Sequence, residues 1–509
     1  MLSKVKTCCL TGLIVTVIDV EVDISNGLPN INVVGLPDMA IKESKDRVRA
    51  AIKNSGLDFP LKRITINLSP AHTRKEGSHF DLPIALGILG ASMQVPLEEL
   101  DDTLILGELS LDGKTNKING VLPMLSEMYN RGIKKVVVPY ENLEEARVVD
   151  GIEIIPVHTL NDIALHLIGE KRLSTHTEPF RYNCKEETDS EDFKDIYGQE
   201  NLKRALEIAA SGSHNLLTIG PPGSGKTMAA RRLPSILPKL TFREALEITK
   251  IYSIAGLLDA HEGLVHSRPF RSPHHTSSTV AITGGGRTPK PGEVSLSHYG
   301  VLFLDELPEF SKTSLEVLRQ PLEDKVIHIS RVNGSYTYPA DFMLLAAMNP
   351  CPCGYYGTEG GQQCVCTPHQ INRYVNKISG PLMDRIDMVV ETSAVKYENL
   401  TGGKGSESSR EIRKRVERAR EIQLERYKKT KYLFNSQLNG AAINKYCSLG
   451  PSAQQLMNSA FRKMNLSARG YSKILKVART IADLDGKDII YENHLAEALQ
   501  YRNLSGLTP

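Results

Sequence analysis

Hydrophobic and polar positions along the 509 residues change rhythm several times. Over residues 1–170, short apolar runs, several of them alternating, predict strands at 14–24, 31–34, 64–68, 103–107, 136–138 and 154–157. Between them, helical spacing predicts helices at 39–55, 81–93, 120–131 and 160–169. Gly27-Leu28-Pro29, Gly35-Leu36-Pro37 and Leu111-Asp112-Gly113-Lys114 mark the turns. Residues 171–192 lose apolar periodicity and carry an acidic run, which reads as a linker. Buried strands are predicted at 216–219, 301–304 and 344–348, inside an α/β region spanning 193–395. A Gly/Ser-rich hinge at 401–409 leads to helices at 410–429, 439–447, 452–463, 468–484 and 492–502. The expected division is an α/β domain at 1–170, a linker at 171–192, an α/β core at 193–395 and an all-α region at 396–509.

The run 216–219 ends in Gly220-Pro221-Pro222-Gly223-Ser224-Gly225-Lys226-Thr227, and a helix start follows. Glycines at these places let backbone N–H groups converge on an oxyanion, while the helix N-terminus adds partial positive charge. The expected roles are Lys226 on the β- and γ-phosphates and the Thr227 hydroxyl on Mg²⁺, so the bound molecule is a nucleoside triphosphate. Some 80 residues on, the strand 301–304 ends in Asp305-Glu306. Asp305 suits Mg²⁺ ligation, and Glu306 suits polarising an attacking water. Asn349, ending another apolar strand, can orient that water or serve simply as a turn residue. Arg385, within Asp384-Arg385-Ile386-Asp387, is either a finger for a neighbouring subunit's γ-phosphate or a surface ion pair with Asp384 or Asp387. Arg469 starts a helix, where it can reach the γ-phosphate or stand in solvent.

Composition narrows the setting. The net charge of +3 leaves nucleic-acid binding to local patches. Apolar stretches stay short of the roughly 20 residues that span a bilayer. The N-terminal run reads as a strand without a signal-peptide cleavage site, so a cytoplasmic setting is expected. Cys8 and Cys9 sit in strand-like sequence and read as core. Four of the eight cysteines, Cys351, Cys353, Cys364 and Cys366, fall within sixteen residues. Four thiolates suit tetrahedral Zn²⁺, but the arms are C-x-C instead of the usual C-x₂-C, and free buried cysteines are the alternative.

The order of phosphate loop, Leu304-Asp305-Glu306, Asn349, Asp384-Arg385-Ile386-Asp387 and Ser467-Ala468-Arg469 resembles an AAA+ ATPase. Arg268-Pro269-Phe270-Arg271-Ser272-Pro273-His274-His275, Leu318-Arg319-Gln320-Pro321-Leu322-Glu323 and Asn349-Pro350-Cys351-Pro352-Cys353-Gly354 resemble the ComM/YifB family of magnesium-chelatase-like AAA+ ATPases, over essentially the whole chain. The resemblance implies that Asn349 is sensor 1, Arg385 the arginine finger and Arg469 sensor 2, in a hexameric ring with ATP sites between subunits. It also implies a fold of three parts: a Lon-protease-like α/β domain, a P-loop α/β core with a helix-2 insert and a pre-sensor-1 hairpin, and an all-α lid.

Lys75-Glu76-Gly77, Asp81-Leu82-Pro83-Ile84-Ala85 and 107–113 resemble active-site segments of Lon. Asp81 stands where the nucleophilic Ser is expected, and Leu122 where the Lys is expected. A carboxylate cannot replace that dyad in acyl transfer, so the domain is expected to be an inactive protease unless Ser78 serves instead. Resemblance to helix-2-insert AAA+ proteins, the MCM helicases among them, implies pore hairpins at 278–294 and 326–338. Arg287, Lys290 and Arg331 would then track DNA phosphates; the alternative is solvated surface loops. The charged helix 410–429 carries interleaved Glu residues and reads as a solvated face. The expected function is an ATP-driven motor on single-stranded or branched DNA, a helicase or branch-migration factor in recombination or natural transformation. The rival is a chelatase-type ATPase that remodels a protein partner during metal insertion. Neither reading calls for a membrane or a small-molecule substrate other than ATP.

Overall fold

The structure is a computed structural model, and it describes residues 2–182, 191–286, 289–331, 334–357, 362–394 and 407–502. Two compact units emerge from the packing. The first takes in the described parts of 1–183 together with 241–266 and 330–337; the second takes in the rest.

The first unit is built on a seven-stranded mixed sheet. Leu2–Thr11 and Ile14–Ser25 pair antiparallel from Leu2 with Asp23 to Thr11 with Ile14. The sequence pattern suggests a single strand there, but Gly12 at φ +64° reverses the chain in two residues. Arg63–Ser69 joins antiparallel to Ile14–Ser25, and Asn30–Val34 forms the edge. On the other side Thr103–Ile105, Lys135–Pro139 and Glu153–Val157 run parallel. Alternate side chains face opposite cores, as period-2 geometry dictates. Val5, Cys9, Ile105 and Val137 enter one cluster, and Cys8, Leu104, Val136 and Val138 the other. Both predicted core cysteines are thus buried.

Helix Phe242–Ala255 and the turns after it belong to this unit. The helix opens with a Thr241/Glu244 capping box and closes at Gly256 in the left-handed region. Its Ser253 hydroxyl donates to buried Glu145 and accepts the Gly120 N–H at 2.9 Å. Lys117 Nζ donates to the Leu258 carbonyl at 2.6 Å. Gly263 passes so close to Glu144 that a Cβ would lie 2.1 Å from its carbonyl oxygen.

The second unit carries a five-stranded, all-parallel sheet in the order Phe270–Arg271, Val301–Leu304, Met343–Met348, Leu216–Ile219 and Met388–Glu391. Its faces are covered separately: Leu216, Phe303 and Leu345 point into one core, and Leu217, Leu304 and Leu344 into the other. The first of these cores also contains Val416, Met457, Ile474, Val477 and Leu495 from the C-terminal helices. Helix Ser409–Tyr427, expected as a solvated face, is half-buried instead. Its charges find partners outside the helix: Arg415 pairs with Glu207, and Arg426 with Asp483. Within 278–294 the expected hairpin is present but short, with a helix on either side of it. Thr279–Thr283 and Glu293–Leu296 are helices, joined by Gly284–Gly285 paired with Lys290–Pro291. The second hairpin matches expectation, with Val326–Arg331 and Gly334–Pro339.

Candidate nucleotide site

Four neighbouring strands end on one edge of the parallel sheet, and each delivers a polar residue there. Leu216–Ile219 leads into the glycine-rich loop, Val301–Leu304 into Asp305 and Glu306, Met343–Met348 into Asn349, and Met388–Glu391 into Thr392. Parallel alignment puts all four C-terminal ends at the same level, which is why residues from 220 to 392 meet.

The loop is drawn tight by its own bonds. Gly220 N–H donates to the Met348 carbonyl at 3.2 Å. A Cβ on Gly220 would fall 2.0 Å from Thr392 Oγ1, so only glycine fits. Gly223 and Gly225 adopt φ +74° and +82°, and a Cβ at Gly223 would meet open space. Helix Lys226–Arg232 starts immediately, without an acidic residue in its first turn. Lys226 folds back: its Nζ donates to the Gly220 and Pro221 carbonyls at 2.7 and 2.9 Å and lies 3.4 Å from Asn349 Oδ1. Burial pushes its pKa down, and the Asp305 charge opposes that shift. Thr227 Oγ1 donates to Asp305 Oδ2 at 2.7 Å. A hydroxyl and a carboxylate in contact are the hard oxygen donors that Mg²⁺ takes, and the tight loop with an ammonium beside it suits a polyphosphate.

Glu306 follows Asp305 in the left-handed region at φ +51°. That is an uncommon place for a non-glycine residue and marks strain held by its surroundings. The side chain is 57% exposed, with His275 Nδ1 3.4 Å from Oε2. Tyr374 lies by Asn349, Cys351 and Glu306; burial raises its phenol pKa, the nearby carboxylates add to the rise, and the Asn349 backbone N–H lowers it. Three contributors escape sequence reasoning. His275 reaches Glu306, Gln199 at φ +57° donates to the Ser224 and Ser393 carbonyls, and Thr392 bonds Ser224 Oγ at 3.0 Å. Only the backbone conformation of Gln199 sets it apart, and sequence does not display that.

Arg385 and Arg469 do not join this cluster within the chain. Arg385 pairs with Glu323, and not with Asp384 or Asp387, while donating to the Pro381 carbonyl at 2.9 Å. Arg469 meets Asp384 at 3.3 Å and is 63% exposed. Asp387 is otherwise engaged: it accepts the Asn215 N–H at 3.0 Å and sits beside His214, which holds its pKa down to about 2 against the upward push of burial. Lys290 and Arg331 are exposed, whereas Arg287 lies outside the described residues. Tyr336, on the returning strand, is buried beside Glu76 and Arg74. The four cysteine sulfurs of 351, 353, 364 and 366 all lie within 4.8 Å of one another.

The Lon-like segment places Asp81 at the start of helix Asp81–Ala91, fully buried. Arg47 grips both its oxygens at 2.8 and 3.0 Å, and Leu109 N–H donates at 3.2 Å. Leu122 is buried, with its N–H on Glu145 at 2.8 Å. Ser78 bonds Glu108 and Lys75 bonds the Pro70 carbonyl, so neither is oriented on the other.

A glycine loop, an Asp-Glu strand end and a polar residue on the adjacent strand, on one edge of a parallel sheet, are the arrangement of a P-loop fold and make this a candidate nucleotide site. Models for magnesium chelatase subunit ChlI match residues 20–142 and 192–400, and a model for its C-terminal region matches 406–502. Competence protein ComM of Haemophilus influenzae is 43% identical over 496 residues, 96% of this chain and 95% of that protein. The uncharacterized protein YifB of Escherichia coli is 42% identical over 510 residues, covering 99% and 98%. Lon protease 2 of Bacillus subtilis is 31% identical over 189 residues, 31% of this chain and 33% of that protein. The chain belongs to the ComM/YifB family of magnesium-chelatase-like AAA+ proteins. Among the described residues, no helix is long and apolar enough to cross a membrane.

Proposed function

We propose that this chain hydrolyses ATP, with Mg²⁺, between the subunits of a hexamer and uses the energy to move DNA. The steps it would serve are unwinding or branch migration in homologous recombination or natural transformation. The observation that carries hydrolysis is the Thr227–Asp305 contact at 2.7 Å, with Lys226 buried on one side and Glu306 partly exposed on the other. Loop N–H groups and Lys226 would hold the phosphate oxygens; Thr227 and Asp305 would hold Mg²⁺, which would supply charge neutralisation to the phosphates. Glu306 takes the proton of the attacking water, and Asn349 orients that water. Arg385 acts on a neighbour's γ-phosphate, exchanging its Glu323 partner for it, and Arg469 reports the γ-phosphate to the C-terminal helices. The N-terminal unit serves assembly or DNA binding, with its Lon-like site inactive, because Asp81 is a buried carboxylate committed to Arg47.

DNA as cargo is supported by the near-full-length likeness to a protein named for competence and by the exposure of Lys290 and Arg331, whose charges would suit sequence-independent phosphate contact. A chelatase-type motor that remodels a protein partner is the second reading, favoured by the three chelatase-subunit matches. Steady-state ATP turnover with and without single-stranded and branched DNA separates the two. Stimulation by DNA that weakens in Arg331→Ala and with added salt is expected, with Glu306→Gln as the hydrolysis-dead control. A rate indifferent to every DNA tested overturns the DNA reading in favour of a protein cargo.

A further inference from the structure

The C-x-C arms are arranged more tightly than a core of free thiols requires. Cys351 Sγ lies 3.3 Å from Cys353 Sγ and 3.7 Å from Cys364 Sγ, and the Cys353–Cys364 separation is 3.6 Å. None of these is a disulfide, which needs about 2.05 Å. Four thiolates at the Zn–S length of about 2.3 Å stand about 3.8 Å apart along the tetrahedron's edges, close to the separations seen here. An iron–sulfur cluster, with several metal atoms between its ligands, would hold the sulfurs further apart. Backbone N–H groups of Tyr355 and Val365 aim at the Cys353 sulfur, the donors a metal-bound thiolate carries in its surroundings. The close C-x-C spacing is met by a turn: Gly354, at φ +90°, donates its N–H to the Cys351 carbonyl at 3.0 Å and swings Cys353 back.

This turn abuts the nucleotide site. Asn349 precedes Cys351 by two residues. A Cβ on Gly354 would lie 2.7 Å from Pro222 Cδ in the phosphate loop and 3.9 Å from Asn349 Cγ. Tyr374 lies by both Cys351 and the Asn349 backbone. We propose that Cys351, Cys353, Cys364 and Cys366 bind one structural Zn²⁺, and that this knot fixes Asn349 and the Pro222 edge of the phosphate loop relative to each other. The metal site is independent of cargo and of hydrolysis; only its positioning role rests on the ATPase reading.

The experiment has two arms. In the first, the full chain is purified without chelators, its metal is measured by mass spectrometry, and Co²⁺ is exchanged in. One zinc per chain, lost in Cys364→Ser/Cys366→Ser, and the visible bands of tetrahedral Co²⁺–thiolate are expected. A metal-free protein with freely titrating thiols and no such bands, or one holding iron instead, overturns the site. In the second arm, turnover is followed in that double variant and in Gly354→Ala, which keeps all four sulfurs but presses on Pro222. Both are expected to lose about 10–100-fold in kcat, with ATP KM changing far less. Zinc retained in Gly354→Ala shows that this loss is positional. Wild-type kcat in the zinc-free variant overturns the coupling. A wild-type protein that holds zinc but turns over no ATP leaves the site standing and overturns the ATPase reading.

Discussion

Two helix N-termini in this molecule face the same electrostatic question and answer it oppositely. Helix Asp81–Ala91 supplies its own anion: Asp81 sits in its first turn, fully buried, held by Arg47 and the Leu109 N–H. Helix Lys226–Arg232 has no acid in its first turn, and Lys226 hydrogen-bonds the carbonyls of its own loop, a hydroxyl and Asn349, with the Asp305 charge nearby. A helix N-terminus favours negative charge by its partial positive end in either case. The first is neutralised from within by Asp81. The second has no acidic residue in its first turn, the arrangement that the proposed phosphate binding would use. The Lon-like segment around Asp81 therefore holds charged groups that are already paired with one another.

The sharpest test of that contrast is Lys226→Met. Removing the ammonium from the open terminus is expected to lower ATP turnover by at least about 10²–10³-fold, the scale of losing one positioned donor to transition-state charge. Folding should survive, because the replacement relieves a buried charge whose partners are carbonyls. Hydrolysis and thermal unfolding measured on the same preparation check both halves. Turnover close to wild type would remove the functional distinction between the two termini.

At the closed terminus the effect should move from activity to stability. Asp81→Ala strands the Arg47 guanidinium, and breaking a buried pair from one side costs about 3–5 kcal/mol. Arg47→Met/Asp81→Leu, which exchanges the pair for apolar groups, should recover most of that loss. Hydrogen exchange of Met39–Asn54 and Asp81–Ala91 reads the difference locally, leaving Leu216–Ile219 as an internal reference. A ligand-binding Asp81 would behave differently: its replacement would change activity before it changed protection.

The legibility of the two sites follows from how local their determinants are. The glycine loop, Asp305 and Glu306 are readable because each sits at the end of a short, mainly apolar run, and the spacing of glycine, lysine and threonine is itself the chemistry. His275, Gln199 and Thr392 are not readable; their roles exist only once strands distant in sequence align. Arg385 was visible as a candidate, but its partner Glu323 was not, because a charge pattern does not say which neighbour will be nearest. The apolar runs likewise announce most strands of both sheets, but not Leu2–Thr11, Phe270–Arg271 or Met388–Glu391; around Gly12 the run reads as one strand, since one glycine in a β-rich run is a weak turn signal. Helix Phe242–Ala255 shows the same limit at larger scale. Its buried face is plain in the spacing of Ala245, Ile248 and Ile251, but not that it packs with residues 117–145.

That packing provides the finest probe of how the first unit closes its polar groups. Glu145 is 3% exposed and accepts from the Ser253 hydroxyl, the Leu122 N–H and the Asn142 amide. Burial raises its pKa, and these three donors oppose the rise. Ser253→Ala deletes one donor to a buried carboxylate and also leaves the Gly120 N–H without its acceptor. A loss of about 1–3 kcal/mol is expected, below that of Asp81→Ala because Glu145 keeps two of its donors. Exchange rates should rise in Phe242–Ala255 and Val121–Asn130 together. Ser253→Thr, which keeps the hydroxyl, should hold both segments closer to wild type. If only Phe242–Ala255 loosened, Glu145 would be tied to Val121–Asn130 alone, and the insert would owe its place to apolar packing rather than to a shared buried carboxylate.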